Sequence, residues 1–374
     1  MKRTGFTVLP LHGGHAPAWL ISRMEKLSKE ITWLIIDEYG TGELLRRISN
    51  PYWFQAFGCV LGFDWHSSGL TTVVTGVLKR VLSYEKYGIE VAGGKGRASV
   101  RTQFEIDKMG KDFNLSSSSI ERLKYASRIC AKVDNSAIQA GYPLYHHAFF
   151  LTDRGEWSIV QQGMCSQDRT ARRYHWLSEG LEGFIIEPHK AIVGDVKKPL
   201  VLNMTARDAE ENRKICVDLV KGNPNNLISS IKRIGISSTL DSWTHDHGSA
   251  SISNVDGFLM PKRLNWEIFK RLYDFQPRDY EELLSFKGVG PSVVRALALV
   301  SELTYGKAAS WRDPVKYSFA FGGKDGVPRP IDKREMDSAI SILNDAIEQA
   351  RIDQKERIKA LKRLQSFVAT EISP

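Results

Sequence analysis

Leu144-Tyr145-His146-His147-Ala148-Phe149-Phe150-Leu151-Thr152, Asp153-Arg154-Gly155-Glu156 and Trp157-Ser158-Ile159-Val160-Gln161-Gln162 are consecutive, and this stretch decides the fold class. Two runs of β-forming residues flank an Asp-x-Gly turn, the pattern of an antiparallel hairpin. Residues 6–9 and the apolar run Trp33-Leu34-Ile35-Ile36 read as further strands, and Ile89-Glu90-Val91-Ala92 leads into a glycine-rich basic loop. Helices are expected over 17–31, opened by Pro17, and over 69–87, 104–112 and 116–134. An arginine-rich stretch, Arg169-Thr170-Ala171-Arg172-Arg173-Tyr174-His175-Trp176, follows the hairpin.

Beyond Asn203 the character changes. Thr205, with Asp208 three residues on, is placed to cap a helix over 206–221. A second helix is expected over 224–235. Residues 236–258 are rich in Ser, Asp, Gly and His and read as a linker. From Pro261 the pattern is helical, ending in one helix over about 332–366. The expected architecture is an α/β (α+β) N-terminal module whose sheet contains the hairpin, followed by an all-α C-terminal module. The expected boundaries are 1–203, a connector at 204–260, and 261–374.

The C-terminal half carries Lys287-Gly288-Val289-Gly290-Pro291-Ser292 between two short apolar-faced helices. Glycines without Cβ let a phosphate approach the backbone, and the following helix offers free N–H groups and a favourable dipole. The stretch resembles a helix-hairpin-helix motif, which implies binding of nucleic-acid backbone without base reading. Net charge is +9 with 42% hydrophobic and 25% charged residues. This describes an ordinary globular protein whose surplus of cations favours an anionic partner, nucleic acid before membrane and DNA before RNA. Lys95 and Arg97 in Gly93-Gly94-Lys95-Gly96-Arg97, and Lys324 in Phe321-Gly322-Gly323-Lys324, are further phosphate-binding candidates. Cys59, Cys130, Cys165 and Cys216 lack Cys-x-x-Cys spacing, which implies reduced thiols and a cytoplasmic home. No run of about 18 apolar residues exists, so no spanning helix is expected.

The motifs Leu9-Pro10-Leu11-His12-Gly13-Gly14-His15-Ala16-Pro17, Phe57-Gly58-Cys59-Val60-Leu61-Gly62-Phe63-Asp64-Trp65-His66, Val160-Gln161-Gln162-Gly163-Met164, Arg172-Arg173-Tyr174-His175-Trp176 and Asp313-Pro314-Val315-Lys316-Tyr317 run nearly the length of the chain. Together they resemble the archaeal and bacterial domain-of-unknown-function family 763, a resemblance that implies no particular chemistry. Cys165 stands where that family often has Asn.

Every histidine precedes residue 248, so chemistry is expected in the N-terminal half. The hairpin resembles half of a phospholipase-D-type phosphodiesterase site. That resemblance implies His146, His147 and His175 as acid, base or nucleophile, with Arg169, Arg172 and Arg173 neutralising phosphorane charge. It departs from that pattern at Ala148, where a lysine would stand. No cofactor is required by that reading. A divalent metal on His12, His15, Asp64 and His66 is the alternative chemistry. The expectation is a DNA nuclease of processing or repair, with a homodimer as one way to bring two histidines together. A glycosylase using Asp313, twenty-three residues past Gly290, and a non-catalytic DNA-binding protein are the rival readings. For Asp313 itself, a helix N-cap ahead of Pro314 is the structural reading.

Overall fold

The computed structural model describes residues 16–63, 68–194, 197–244, 259–315 and 333–372. Strands β1 (Ile89–Lys95), β3 (Leu144–Thr152), β4 (Trp157–Cys165), β5 (Thr170–Leu177) and β6 (Ala191–Gly194) form one antiparallel sheet in that spatial order. Two short strands, β2 (Ile138–Gln139) and β7 (Leu202–Asn203), pair separately. The hairpin is present as expected. The arginine-rich stretch supplies β5, all eight residues of which are buried.

Both sheet faces are covered, so side chains alternate between two cores. Ala148, Phe150, Val160 and Leu177 point into one core. There they meet α1 (Ala18–Tyr39), α2 (Thr41–Ser49), α3 (Pro51–Val60) and α4 (Gly69–Val81), while short α5 (Tyr84–Tyr87) leads into β1. Phe149, Leu151, Ile159, Tyr174 and Trp176 point into the other core. That side is built from α7 (Thr102–Asp112), α8 (Ser117–Lys132), α9 (Glu210–Lys221), α10 (Pro224–Thr244), α11 (Glu267–Phe275), α12 (Tyr280–Ser285) and α13 (Pro291–Tyr305), while short α6 (Arg97–Val100) follows β1 and buries no side chain. The last two helices, α14 (Lys333–Gln349) and α15 (Gln354–Ile372), return to the first core through Leu343, Ile347, Ala360 and Leu364. One core therefore joins Phe149 to Val294 and the other joins Phe54 to Leu343, across the sequence positions 203/204 and 260/261.

Local chemistry explains where several elements start and stop. Asn50 caps α3, accepting from the Tyr52 and Trp53 amides at 2.9 and 3.1 Å, with Pro51 at the first helical position. Trp33–Ile36 is helix rather than strand. Met24, Leu27, Ile31 and Ile35 make one buried stripe at helical spacing, which carries α1 on to Tyr39. The expected single helix over 332–366 is two helices. Asp353 accepts from the Glu356 amide at 2.9 Å and starts α15 afresh. Residues 236–244 of the expected loop are helix, because α10 runs to Thr244, and the remainder, 245–258, lies outside the described residues. The strand expected at 6–9 lies outside the described residues.

Candidate functional site

Strand alternation separates the histidines expected to work together. His146 and His147 are neighbours on β3, so they project from opposite faces. His146 lies opposite Gln162 and Gln162 opposite Arg173, which places these three in one row on the α4 side. There the His146 Nε2 is 3.0 Å from Thr75 Oγ1, whose single proton is already donated to the Thr71 carbonyl at 2.8 Å. The imidazole must therefore donate from Nε2, leaving its buried Nδ1 without a hydrogen-bond partner. Arg173 donates to His175 Nε2 at 2.9 Å and to Gln55 Oε1 at 3.0 Å, and lies over the Phe54 ring at 4.7 Å. Since His175 Nε2 accepts, Nδ1 carries the proton and donates to the Ile48 carbonyl at 3.1 Å. Burial lowers the His146 pKa to about 3, and burial beside Arg173 takes His175 well below the ordinary imidazole range.

Arg172 points the other way. Its Nη2 donates to Asp313 Oδ2 at 2.7 Å in an ion pair whose side chains are both 0% exposed. The guanidinium also lies over the Tyr142 ring at 4.6 Å. Asp313 Oδ2 accepts from the Lys198 amide as well, and Oδ1 accepts from the Val315 amide at 3.1 Å. No helix starts at Asp313. Its carboxylate closes a turn and neutralises Arg172 instead, so both of its oxygens are engaged. Arg169 is exposed in the β4–β5 turn with φ +55°. The six residues expected at one phosphodiesterase centre thus occupy two faces and a turn, and the physical reason is the two-residue period of a strand.

Reading outward from His147 reveals a connected polar relay. Its Nδ1 is 2.8 Å from Gln161 Oε1, and its Nε2 is 3.0 Å from Ser127 Oγ on α8. The Gln161 amide nitrogen donates to Asp134 Oδ2, which fixes its carbonyl oxygen towards the imidazole. His147 therefore donates from Nδ1 and turns the Nε2 lone pair to the serine hydroxyl. Gln103 Nε2 also donates to Ser127 Oγ at 3.0 Å. Asp134 sits in a π-helical turn, Val133–Ala137, and accepts further from Trp176 Nε1 at 3.0 Å and from His189 Nε2. Burial outweighs these donors and raises the Asp134 carboxyl above its ordinary pKa. Burial lowers His147 to about 4, against the Gln161 bond that favours its charged form. A cavity of about 200 Å³ lined by Ser99, Gln103, Ser127, Arg128 and His147 opens at one end of the relay. One of about 360 Å³ lined by His189, Asn203 and Asp313 lies at the other.

Replacing Trp176 by Phe keeps an aromatic ring but removes one donor to a buried carboxylate together with the pyrrole part of a fully buried indole. We expect a loss of at least about 2 kcal/mol of unfolding free energy, the range for unmaking a hydrogen bond to a charged group, with the cavity adding to it. An unchanged urea midpoint would show that Asp134 does not depend on this bond.

The helix pair at 280–305 is built as the sequence suggests. Asp279 caps α12 by accepting from the Glu282 amide at 2.8 Å, and Gly290 precedes Pro291 at the first position of α13. Gly288 has φ +104°, and a Cβ there would meet Ile268 Cδ1 at 2.8 Å, so only glycine fits. Three carbonyls of the turn are drawn inward. Lys132 Nζ donates to those of Phe286, at 3.0 Å, and Val289, while Gln139 Nε2 donates to that of Pro291 at 2.8 Å. In a trans peptide the N–H points opposite to its carbonyl. The amides of Lys287, Gly290 and Ser292 are thereby aimed away from these side chains. Lys287, Gly288 and Ser292 are exposed and Val289 is buried beneath them.

Lys95 and Arg97 are exposed at the end of β1 and the start of α6. Lys324 and the proposed metal ligands His12, His15, Asp64 and His66 lie outside the described residues. Among those described, no group of three or more His, Cys, Asp or Glu is placed to hold a metal, and no helix is long and apolar enough to cross a membrane. The four cysteines form no disulfide. Ser127 and Asp134 carried no sequence signal, since a serine and an aspartate near a helix end are commonplace there.

Fold and sites together define an antiparallel sheet held between two helical layers, with a glycine-turned helix pair on one side and a buried serine–histidine relay. The chain matches the family described as Protein of unknown function (DUF763) over residues 5–331 and belongs to it. No curated protein and no solved structure matches it.

Proposed function

We propose that this protein binds nucleic acid, DNA ahead of RNA, by its sugar–phosphate backbone, and acts in DNA processing. The observation that carries the reading is the outward set of amides at Lys287, Gly290 and Ser292, held by Lys132 and Gln139 behind the turn. Such an array at a helix N-terminus suits a phosphate oxygen. Lys287 adds a cation on the exposed side, and the net charge of +9 supports an anionic partner. The turn reads no base, so affinity is expected to be insensitive to sequence and steeply dependent on salt. The glycosylase alternative gains no support, because the Asp313 carboxylate is occupied by Arg172 and two backbone amides.

The test is fluorescence anisotropy of labelled single-stranded and duplex oligonucleotides across a salt series. Ser292→Asp, at an exposed position, is expected to weaken binding at least tenfold at low salt. Lys287→Ala is expected to lower the slope of log affinity against log salt by about 1. Equal affinities for both variants and the parent would remove the interface from this turn.

A further inference from the structure

We propose that Ser127 is a nucleophile and His147 its general base, in a site that hydrolyses phosphodiesters. Two independent geometric facts support the pairing. The Ser127 hydroxyl faces the His147 Nε2 lone pair at 3.0 Å, and the imidazole is locked in the needed tautomer by Gln161, itself held by Asp134. This nucleophile–base–orienter order is what activation of a serine requires. Ser127 and His147 also line one cavity together, so the pair borders a space rather than a packed core.

The surroundings select the substrate. Arg128 lines the same cavity and donates to Gln103 Oε1 at 2.9 Å, orienting the amide that reaches Ser127 Oγ. Lys95, Arg97 and Arg101 are exposed on the adjoining segment, beside Val100 at 81% and Phe104 at 71% exposure. Cations next to an open aromatic ring suit a phosphate flanked by a base. About 200 Å³ is below the 300–1,000 Å³ of typical ligand pockets, which fits one phosphate group rather than a duplex. Helix α8 carries both Ser127 and Lys132, about 7.5 Å apart along its axis, so it links this site to the clasped turn.

Ser127 Oγ attacks phosphorus as its proton passes to His147 Nε2. The bond to the leaving sugar oxygen breaks, and that oxygen takes the proton from His147. Water then attacks the phosphoserine ester, with His147 again moving the proton, and releases phosphate monoester and free Ser127. Gln161 and Asp134 are positioning residues. The substrate class rests on the nucleic-acid reading above; the nucleophile does not.

The experiment treats the full chain with a fluorophosphonate and maps the adduct by peptide mass spectrometry. One adduct on Ser127 is expected, absent in Ser127→Ala and at least a hundredfold slower in His147→Gln. Gln161→Leu should slow the inactivation step while leaving the probe's half-saturating concentration unchanged, a split that general loss of structure would not produce. The mapping on the unaltered chain needs no variant to fold, and absence of an adduct there overturns the proposal. Turnover of bis(4-nitrophenyl) phosphate, lost in Ser127→Ala, is the second expectation. An adduct without such turnover overturns the phosphodiester assignment. Turnover by a chain that binds no oligonucleotide would instead sink the interface at 286–292 and leave this site standing.

Discussion

Acidification from pH 7 towards 4 is expected to unfold this chain, through imidazoles that the fold keeps neutral. In the unfolded state each titrates near 6.5. In the folded state His147 titrates at about 4 and His146 at about 3, and burial beside Arg173 holds His175 well below the ordinary imidazole value. Below pH 6.5 the unfolded chain therefore binds more protons, and stability falls as pH falls. The contribution is complete above about 6.5 and is lost progressively down to each folded value. Each group adds a slope of about 1.4 kcal/mol per pH unit in that window, so three add roughly 4 kcal/mol per unit. Against a total of about 5–15 kcal/mol, two units suffice to remove much of the fold. Urea midpoints at pH 7, 6 and 5 measure this. His147→Gln should flatten the dependence by about a third, and a midpoint constant from pH 7 to 5 would contradict the burial of these rings.

The second large effect is expected at Arg172 and Asp313. Removing one partner of a fully buried pair leaves an uncompensated charge, at a cost of about 3–5 kcal/mol. Asp313→Asn keeps an oxygen for the Val315 amide but strands the Arg172 charge, whose Nε and Nη1 already have no hydrogen-bond partner. Arg172→Met strands the carboxylate instead. The double variant removes both charges and should cost at least 2 kcal/mol less than the two single losses summed. Additive losses in urea unfolding would mean that the two groups are not coupled. The pair also fastens the 311–315 segment to β5, so its loss should raise protease cleavage near Trp311 first.

Much of the fold was legible because it depended on local pattern. The 144–163 hairpin, the α13 helix and the Lys287–Ser292 turn follow from alternation, an apolar face or a glycine, whereas the expected Thr205 cap is absent: its hydroxyl donates to Asn203 Oδ1 and α9 starts later, at Glu210. Errors arose where a short apolar run fitted two periods. Trp33–Ile36 fits a strand in isolation and a helix once Met24, Leu27 and Ile31 are counted with it. The arginines of β5 disguised a central strand, since charged side chains are seldom fully buried unless paired. Each has a partner more than a hundred residues away: Gln55 for Arg173, Asp313 for Arg172. The candidate site was half legible. His147 and Gln161 stood out on the hairpin, whereas Ser127 and Asp134 became visible only when α8 packed beside β3.

Sequence alone determined the excess of positive charge, which is a sum over the chain, and also the class of the fold and the glycine turn between two helices, because these are settled by residues within a few positions of one another. Tertiary structure decided which histidines meet. Adjacent residues on a strand face opposite ways, so His146 and His147 joined separate networks, one with Thr75 of α4 and the other with Gln161 of β4 and Ser127 of α8. It also decided that the turn at 286–292 presents amides outward, because Lys132 and Gln139 reach across to draw its carbonyls in.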